Sequence, residues 1–223
     1  MAVRPAGDHI AVLTSGGLDS AVLVADLIGK GRVVQPIYIR FGLAWEEVEE
    51  AHLRRFLTTL PAAGARPLVA LEFPIGDVYG AHWSTSGEAV PDALSDDDAV
   101  YLPGRNVLLL AKSSVWCALH GVGTIALGTL KGNPFPDSSA DFFALFGSLA
   151  RMALSSPLEV VTPFAGLNKT DVVELGRGLD LHHTFSCIEP KAGLHCGQCN
   201  KCAERRRAFA ALQVVDATRY DRL

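Results

Sequence analysis

Positions 9–14 (HIAVLT) hold an unbroken apolar run at 10–13, long enough for a strand and too short for a helix, and two glycines follow after Ser15. From 19 to 28 the apolar residues return at helical spacing, so the chain opens as strand, glycine turn, helix. Residues 33–39 (VVQPIYI) predict a second strand. Residues 45–60 predict an amphipathic helix in which Glu50 stands four positions before Arg54, the spacing that brings opposite charges together on successive turns. A third strand is expected at 68–73, a largely buried helix at 105–120, a strand at 124–127, a helix at 141–154, a strand near 159–162 and a helix at 171–178. Strands that alternate with helices are joined by crossovers, and crossovers favour a mostly parallel sheet covered on both faces. The expected fold is a doubly wound parallel α/β sheet over residues 1–180, followed at 181–223 by a small cysteine-bearing appendage with a C-terminal helix.

One stretch breaks the alternation. Residues 74–104 carry the acidic run Asp96, Asp97, Asp98 and show little periodicity. Connections this long are uncommon in compact domains unless they serve a site, so the segment reads either as a mobile solvated insertion or as a lid.

Composition narrows the function. A chain of 223 residues with 49% hydrophobic content can bury a full core. Its formal net charge of -4 argues against a basic sheath for nucleic acid, which is not the expected partner. The opening residues lack the apolar core of a secretory signal, and no apolar run approaches the ~20 residues that span a bilayer. The expectation is a cytoplasmic protein with no membrane partner. Of five cysteines, Cys117 sits alone in an apolar helical pattern, while Cys187, Cys196, Cys199 and Cys202 cluster as C-x8-C-x2-C-x2-C. Four thiolates so closely spaced suit one tetrahedral zinc ion in a closed, structural site; an iron–sulfur cluster is the alternative. Gly197 would ease the turn, and Lys201, Arg205, Arg206 and Arg207 would offset thiolate charge. His195 reads as a surface or neighbouring group rather than a ligand.

The glycine turn carries the chemistry. In Ser15-Gly16-Gly17-Leu18-Asp19-Ser20, backbone amides ahead of a helix can approach an anion without Cβ obstruction, and the Ser15 and Ser20 hydroxyls add donors. Asp19 is placed to hold magnesium beside a phosphate. The loop lacks the lysine of the Walker A motif and the spacing of the dinucleotide fingerprint. SGGLDS resembles the signature of the PP-loop ATP pyrophosphatases, and that resemblance implies ATP bound by Leu13, Thr14, Ser15, Gly16, Gly17, Leu18, Asp19 and Ser20, with adenylation of a substrate oxygen and displacement of AMP by a nucleophile.

Further motifs sharpen the resemblance. Tyr101-Leu102-Pro103-Gly104-Arg105-Asn106, Leu167-Asn168-Lys169-Thr170-Asp171 and Thr184-Phe185-Ser186-Cys187, taken with SGGLDS and the cysteine spacing, resemble the family of 7-cyano-7-deazaguanine synthases over roughly residues 9–212. The resemblance implies two ATP-consuming activations of 7-carboxy-7-deazaguanine, with ammonia converting the carboxylate to an amide and then to a nitrile on the route to queuosine. It also implies phosphate-stabilising roles for Arg105 and Lys169, whose cations suit phosphate oxygens. The chain departs from the family after the second strand, where Phe41-Gly42 is followed by Leu43, Ala44 and Trp45 in place of a Gln-Arg-His-like stretch. It departs again at Asp137-Ser138-Ser139. The expected substrate-pocket residues are Phe41, Trp45, Lys131, Phe135 and Asp137. The departures leave room for a relative that stops at the amide or couples a deazaguanine, or another carboxylate, to a different amine. A non-catalytic nucleotide-binding module that docks a partner through its cysteine knuckle is the reading from another class. The expected partners are a small-molecule substrate with ammonia or another amine; a homodimer or a protein acceptor is compatible with the chain.

Overall fold

The structure is a computed structural model that describes residues 9–222. Five parallel strands form its frame: β1 (His9–Leu13), β2 (Val33–Arg40), β3 (Val69–Glu72), β4 (Thr124–Ala126) and β5 (Glu159–Val161), in the order β3-β2-β1-β4-β5. Helices α1 (Leu18–Gly29), α2 (Glu46–Thr58), α5 (Arg105–Leu119), α6 (Ala140–Leu154), α7 (Lys169–Leu175) and α8 (Asn200–Ala211) cover both faces. Two short helices, α3 (Gly76–Tyr79) and α4 (Trp83–Ser86), lie between β3 and α5. The doubly wound sheet expected from the alternating pattern is therefore present, with element ends displaced by a few residues. Among the described residues no helix is long and apolar enough to cross a membrane.

The period of two in a strand sends successive side chains to opposite faces. In β1, Ala11 and Leu13 enter one apolar layer with Leu110, Cys117 and Phe143, while Ile10 and Val12 enter the other with Val22, Leu23, Val172 and Phe209. Because both faces are covered, β1 reads as a continuous apolar run rather than an alternating one. Glu50 pairs with Arg54 at 2.6 Å, as the helical spacing predicts. The chain builds outward from β1 through β2 to β3, then crosses back to β4 on the other side of β1. That reversal opens a crevice at the carboxyl ends of β1 and β4, the place where open α/β sheets bind ligands.

Residues 74–104 depart from a structureless connection, although the acidic run Asp96, Asp97, Asp98 is exposed as a solvated segment would have it. They form α3, α4 and a 3₁₀ turn at Asp97–Val100, with Ile75, Ser84, Val100 and Leu102 buried. Trp83 stacks on Trp45 with ring centroids 5.7 Å apart and planes 15° apart, and the Ala44 amide donates to the Ser84 carbonyl at 2.8 Å. Farther on, the Asn200 amide donates to Pro91 O at 3.0 Å and Asn200 Nδ2 to Ser95 O at 2.8 Å. The segment is a packed strap from the sheet edge to the cysteine-bearing segment.

Of the sequence division at 180/181, residues 1–8 and 223 lie outside the described residues. The C-terminal part packs α8 against α7, and the Phe185 amide donates to Gly16 O at 2.7 Å.

Candidate active site

The glycine turn after β1 leads into the N-terminus of α1, where unpaired backbone amides and the positive end of the helix dipole favour an anion. Gly16 adopts φ +74°, and a Cβ there would lie 2.8 Å from Glu49 O and 3.0 Å from Glu49 Cγ, so the position admits only glycine. Gly128, just after β4, approaches the Asp19 backbone so closely that a Cβ would come within 3.1 Å of its carbonyl carbon. The turn is knit together by its own serines: Ser20 Oγ accepts from the Ser15 amide at 3.2 Å and donates to Gly17 O at 3.2 Å, while Ser15 Oγ accepts from the Gly17 amide at 3.3 Å.

Two adjoining clefts, of about 370 and 230 Å³, open at this point and share Ser15, Asp19, Glu49 and Arg105. Of the sequence-predicted loop residues, Ser15, Gly17, Leu18 and Asp19 line the wider cleft, Leu13, Thr14 and Ser20 the narrower one, and Gly16 lies behind them against Glu49. Arg105 opens α5, and its Nε is buried without a hydrogen-bond partner among the described residues. Lys169 stands at the start of α7, and its Nζ lies 2.7 Å from Asp19 Oδ2 and 3.1 Å from Glu204 Oε1. Burial works against its charge, but Asp19 and Glu204 overcome that and hold its pKa above the ordinary lysine range. Burial likewise acts to raise Glu204, yet Lys169 and Lys201 hold it down to about 2. Asp19 Oδ1 is buried with no hydrogen-bond partner among the described residues. Asp19 and Arg105 both line the two clefts, and each keeps a buried side-chain atom without a partner among the described residues, the condition expected of a site made for a charged ligand. A carboxylate oxygen beside an anion cradle suits magnesium, so Asp19 fits that ion.

The substrate-pocket candidates separate. Trp45, Lys131 and Phe135 line the wider cleft, with Phe135 stacked on Tyr101 at 5.0 Å. Asp137 lines the narrower one, but its carboxylate is committed to the start of α5, accepting from the Asn106 amide at 2.9 Å. Phe41 is misplaced as a pocket residue: it is 1% exposed, packs against Phe73 in the core and lines neither cleft. The turn it begins is held by Glu46, whose Oε2 accepts from the Phe41 and Gly42 amides.

The four clustered cysteines converge. Their sulfurs all lie within 4.8 Å of one another, with Cys196–Cys202 and Cys187–Cys199 each at 3.9 Å. A tetrahedron with metal–sulfur bonds of about 2.3 Å has edges of about 3.8 Å, so the donor set fits a single zinc-sized ion. Backbone amides of Cys196 and Glu189 donate to Cys187 Sγ, and those of Gln198 and Cys199 to Cys196 Sγ, contacts that favour thiolates. Gly197, at φ +81°, makes the turn as expected. Two members of the basic run serve other ends: Arg205 is 2% exposed and donates to Thr184 Oγ1 at 2.7 Å and Leu181 O at 2.9 Å, and Lys201 pairs with Glu204, while Arg206 donates to Gly197 O at 3.3 Å inside the cysteine turn. His195 is not at the surface. It is 1% exposed, accepts from the Ser186 amide at 3.1 Å, and burial drives its pKa down to about 3, so it is neutral.

Sequence reasoning missed Glu49, Glu204 and Trp83, all of which line the wider cleft. Glu49 offers a signal in retrospect. Glu49, Leu53, Phe56 and Leu60 share one stripe at helical spacing, and all four are buried, which sets Glu49 apart from the exposed face of its acidic neighbour Glu47.

With the geometry in place, likeness to other proteins adds weight. A family model described as "Queuosine biosynthesis protein QueC" matches residues 9–213. The 7-cyano-7-deazaguanine synthase of Syntrophobacter fumaroxidans is 32% identical over 228 aligned positions, covering 95% of each chain. That of Desulfotalea psychrophila is 30% identical, covering 96% of this chain and 98% of the other. Among solved structures, a 4-thiouridine synthetase bound to RNA and ATP aligns with 93% of this chain and 51% of its own at 15% identity and a TM-score of 0.52, a likeness of fold.

Proposed function

The chain belongs to the QueC family of queuosine-biosynthesis proteins, and from that premise we propose that it is an ATP-dependent ligase that turns 7-carboxy-7-deazaguanine into 7-cyano-7-deazaguanine. The observation that carries this reading is the crevice itself, where a glycine turn at a helix N-terminus meets Arg105 and Lys169 beside an unmatched Asp19 oxygen. The amides of residues 15–20 cradle the triphosphate of ATP, and Asp19 is the residue to hold magnesium, which when bound offsets phosphate charge. Lys169 and Arg105 stabilise the charge that grows on the α-phosphate and on departing pyrophosphate as the substrate carboxylate attacks. Ammonia then displaces AMP to leave the amide, and a second activation of the amide oxygen leads to the nitrile. The four cysteines hold zinc as a structural ion, since a full set of protein ligands leaves no position for a reacting water.

A second reading has its own support. Where the family carries polar residues, Leu43 is buried, the Ala44 amide binds the strap and Trp45 stacks on Trp83. An aromatic wall in place of polar groups changes which acceptor or amine fits, so a relative that stops at the amide or joins a bulkier amine is the alternative. Mass spectrometry of the products from ATP, magnesium, ammonia and 7-carboxy-7-deazaguanine separates the two. A nitrile supports the first reading, an amide alone the second, and no AMP-linked product with this acid removes both.

A further inference from the structure

Glu49 is a carboxyl buried in the wall of the crevice, 7% exposed and shared by both clefts. It comes from α2 and packs directly beneath the glycine turn, where its backbone oxygen and Cγ occupy the space a Cβ on Gly16 would need. The Tyr38 hydroxyl donates to Glu49 Oε2 at 2.8 Å. Tyr38 is itself pushed far above the ordinary phenol range, chiefly by burial and by Glu49, so it stays protonated and keeps an O–H to donate to the carboxylate. A buried acid against a phosphate cradle has no obvious structural purpose. A carboxylate beside a triphosphate is repulsive, so the cradle by itself gives no reason for an acid at this position.

The charged and titratable groups around Glu49 explain how it coexists with an anion. From β2 comes Tyr38, from α2 itself Glu46, from α5 Arg105 and from α1 Asp19, while Lys131, Lys169 and Lys201 line the wider cleft. Burial raises the Glu49 pKa to about 8, against the lowering effects of Arg105 and the Tyr38 and Trp45 hydrogen bonds, with Glu46 adding to the rise. The group is therefore mostly neutral while the triphosphate and the substrate carboxylate assemble, and it becomes a base near the pH at which a general base works best.

We propose, on the basis of the ligase reading, that Glu49 is the proton acceptor for the incoming amine. In this step the nitrogen lone pair forms a C–N bond to the acyl carbon of the adenylate, the bond from that carbon to the AMP oxygen breaks, and AMP leaves with the electron pair. The nitrogen sheds one proton, and the Glu49 carboxylate takes it, with Tyr38 holding the carboxylate in place. The proton passes to solvent before the next turnover.

Adenylation and amine attack are measured separately. Labelled pyrophosphate exchange into ATP, dependent on 7-carboxy-7-deazaguanine and run without amine, reports the first step. Formation of the hydroxamate from hydroxylamine, which is a free base across neutral pH, reports the second without interference from ammonium ionisation. Glu49→Gln is expected to lower hydroxamate formation about 100-fold more than it lowers pyrophosphate exchange. The wild-type hydroxamate rate should climb with pH to a plateau above about 8, a limb that Glu49→Gln abolishes. Glu49→Asp should restore part of the loss. Tyr38→Phe, which leaves the acid in place but removes a hydrogen bond that favours its charged form, should move the limb to higher pH. Equal losses in both steps, or an unchanged pH limb in Glu49→Gln or Tyr38→Phe, would overturn the assignment. Wild-type protein that forms hydroxamate with a limb unrelated to Glu49 sinks this proposal alone, whereas wild-type protein without any pyrophosphate exchange sinks the ligase reading and this step with it.

Discussion

Lys169 shows how one side chain can hold a site together. Its ammonium bridges Asp19 from the loop helix and Glu204 from α8, two carboxylates 185 positions apart in the chain as numbered. Both partners are partly shielded, so the bridge is worth more than an exposed ion pair, yet its main effect is to keep a cation beside the anion cradle at every working pH. Lys169→Met is expected to cut AMP-forming turnover by about 100- to 1000-fold, with circular dichroism unchanged. Stopped-assay AMP analysis checks this, and turnover within a few-fold of wild type would remove Lys169 from the chemistry. At this scale the sequence told a mixed story. The serines, glycines and Asp19 of the loop, and the four cysteines, announce themselves because their chemistry depends on local spacing. Arg205 and Phe41 do not, since a buried arginine that pins Thr184 and a phenylalanine packed on Phe73 are set by contacts from distant segments. Glu49 lay hidden in the run Glu46, Glu47, Glu49, Glu50, and only its alignment with Leu53 and Phe56 betrays its burial.

Among elements, the loop and the strap make a contrast. The strand, glycine turn and helix at the start were legible because a short apolar run, two glycines and a helical period each specify local structure. The strap was not legible, because its order comes from Trp83 against Trp45, Ser84 against Ala44 and Asn200 against residues 91 and 95. None of those partners is near in sequence. The loop also carries the stricter geometric demand. Gly16→Ala would combine a disfavoured positive φ with a clash against the Glu49 carbonyl. It should destabilise the protein by about 1–3 kcal/mol and abolish ATP binding at concentrations that saturate the wild type. Denaturant unfolding and calorimetric titration with ATP measure the two effects, and a variant that still binds ATP normally would mean the turn can yield.

The whole molecule couples the cysteine cluster to the phosphate loop. Cys187 follows Phe185, whose amide holds Gly16 O, and α8 follows Cys199 and supplies Glu204 to Lys169. Arg205 locks the two together through Thr184. Metal released by a chelator should therefore lower the unfolding midpoint by on the order of 10 °C or more and weaken ATP binding with it. Thermal scans and nucleotide titration before and after chelation, with elemental analysis for one zinc per chain, check both parts. Stability lost without any change in ATP affinity would show that the cluster and the loop are independent. The parallel sheet was readable from the strand and helix alternation; its strand order, which sets the switch point and so the crevice, came only with the structure. Of the crevice walls, Trp45, Arg105, Lys131, Phe135 and Lys169 were anticipated, while Glu49, Trp83 and Glu204, from α2, the strap and α8, were not, because contacts between distant segments bring them there.

The central claim is that ATP bound at Ser15–Ser20 is attacked at its α-phosphorus by the substrate carboxylate. Substrate labelled with ¹⁸O in the carboxylate tests it directly. The account predicts that one labelled oxygen appears in AMP for each amide formed, read as a two-mass-unit gain. Label found in inorganic phosphate, with ADP as the nucleotide product, would contradict it.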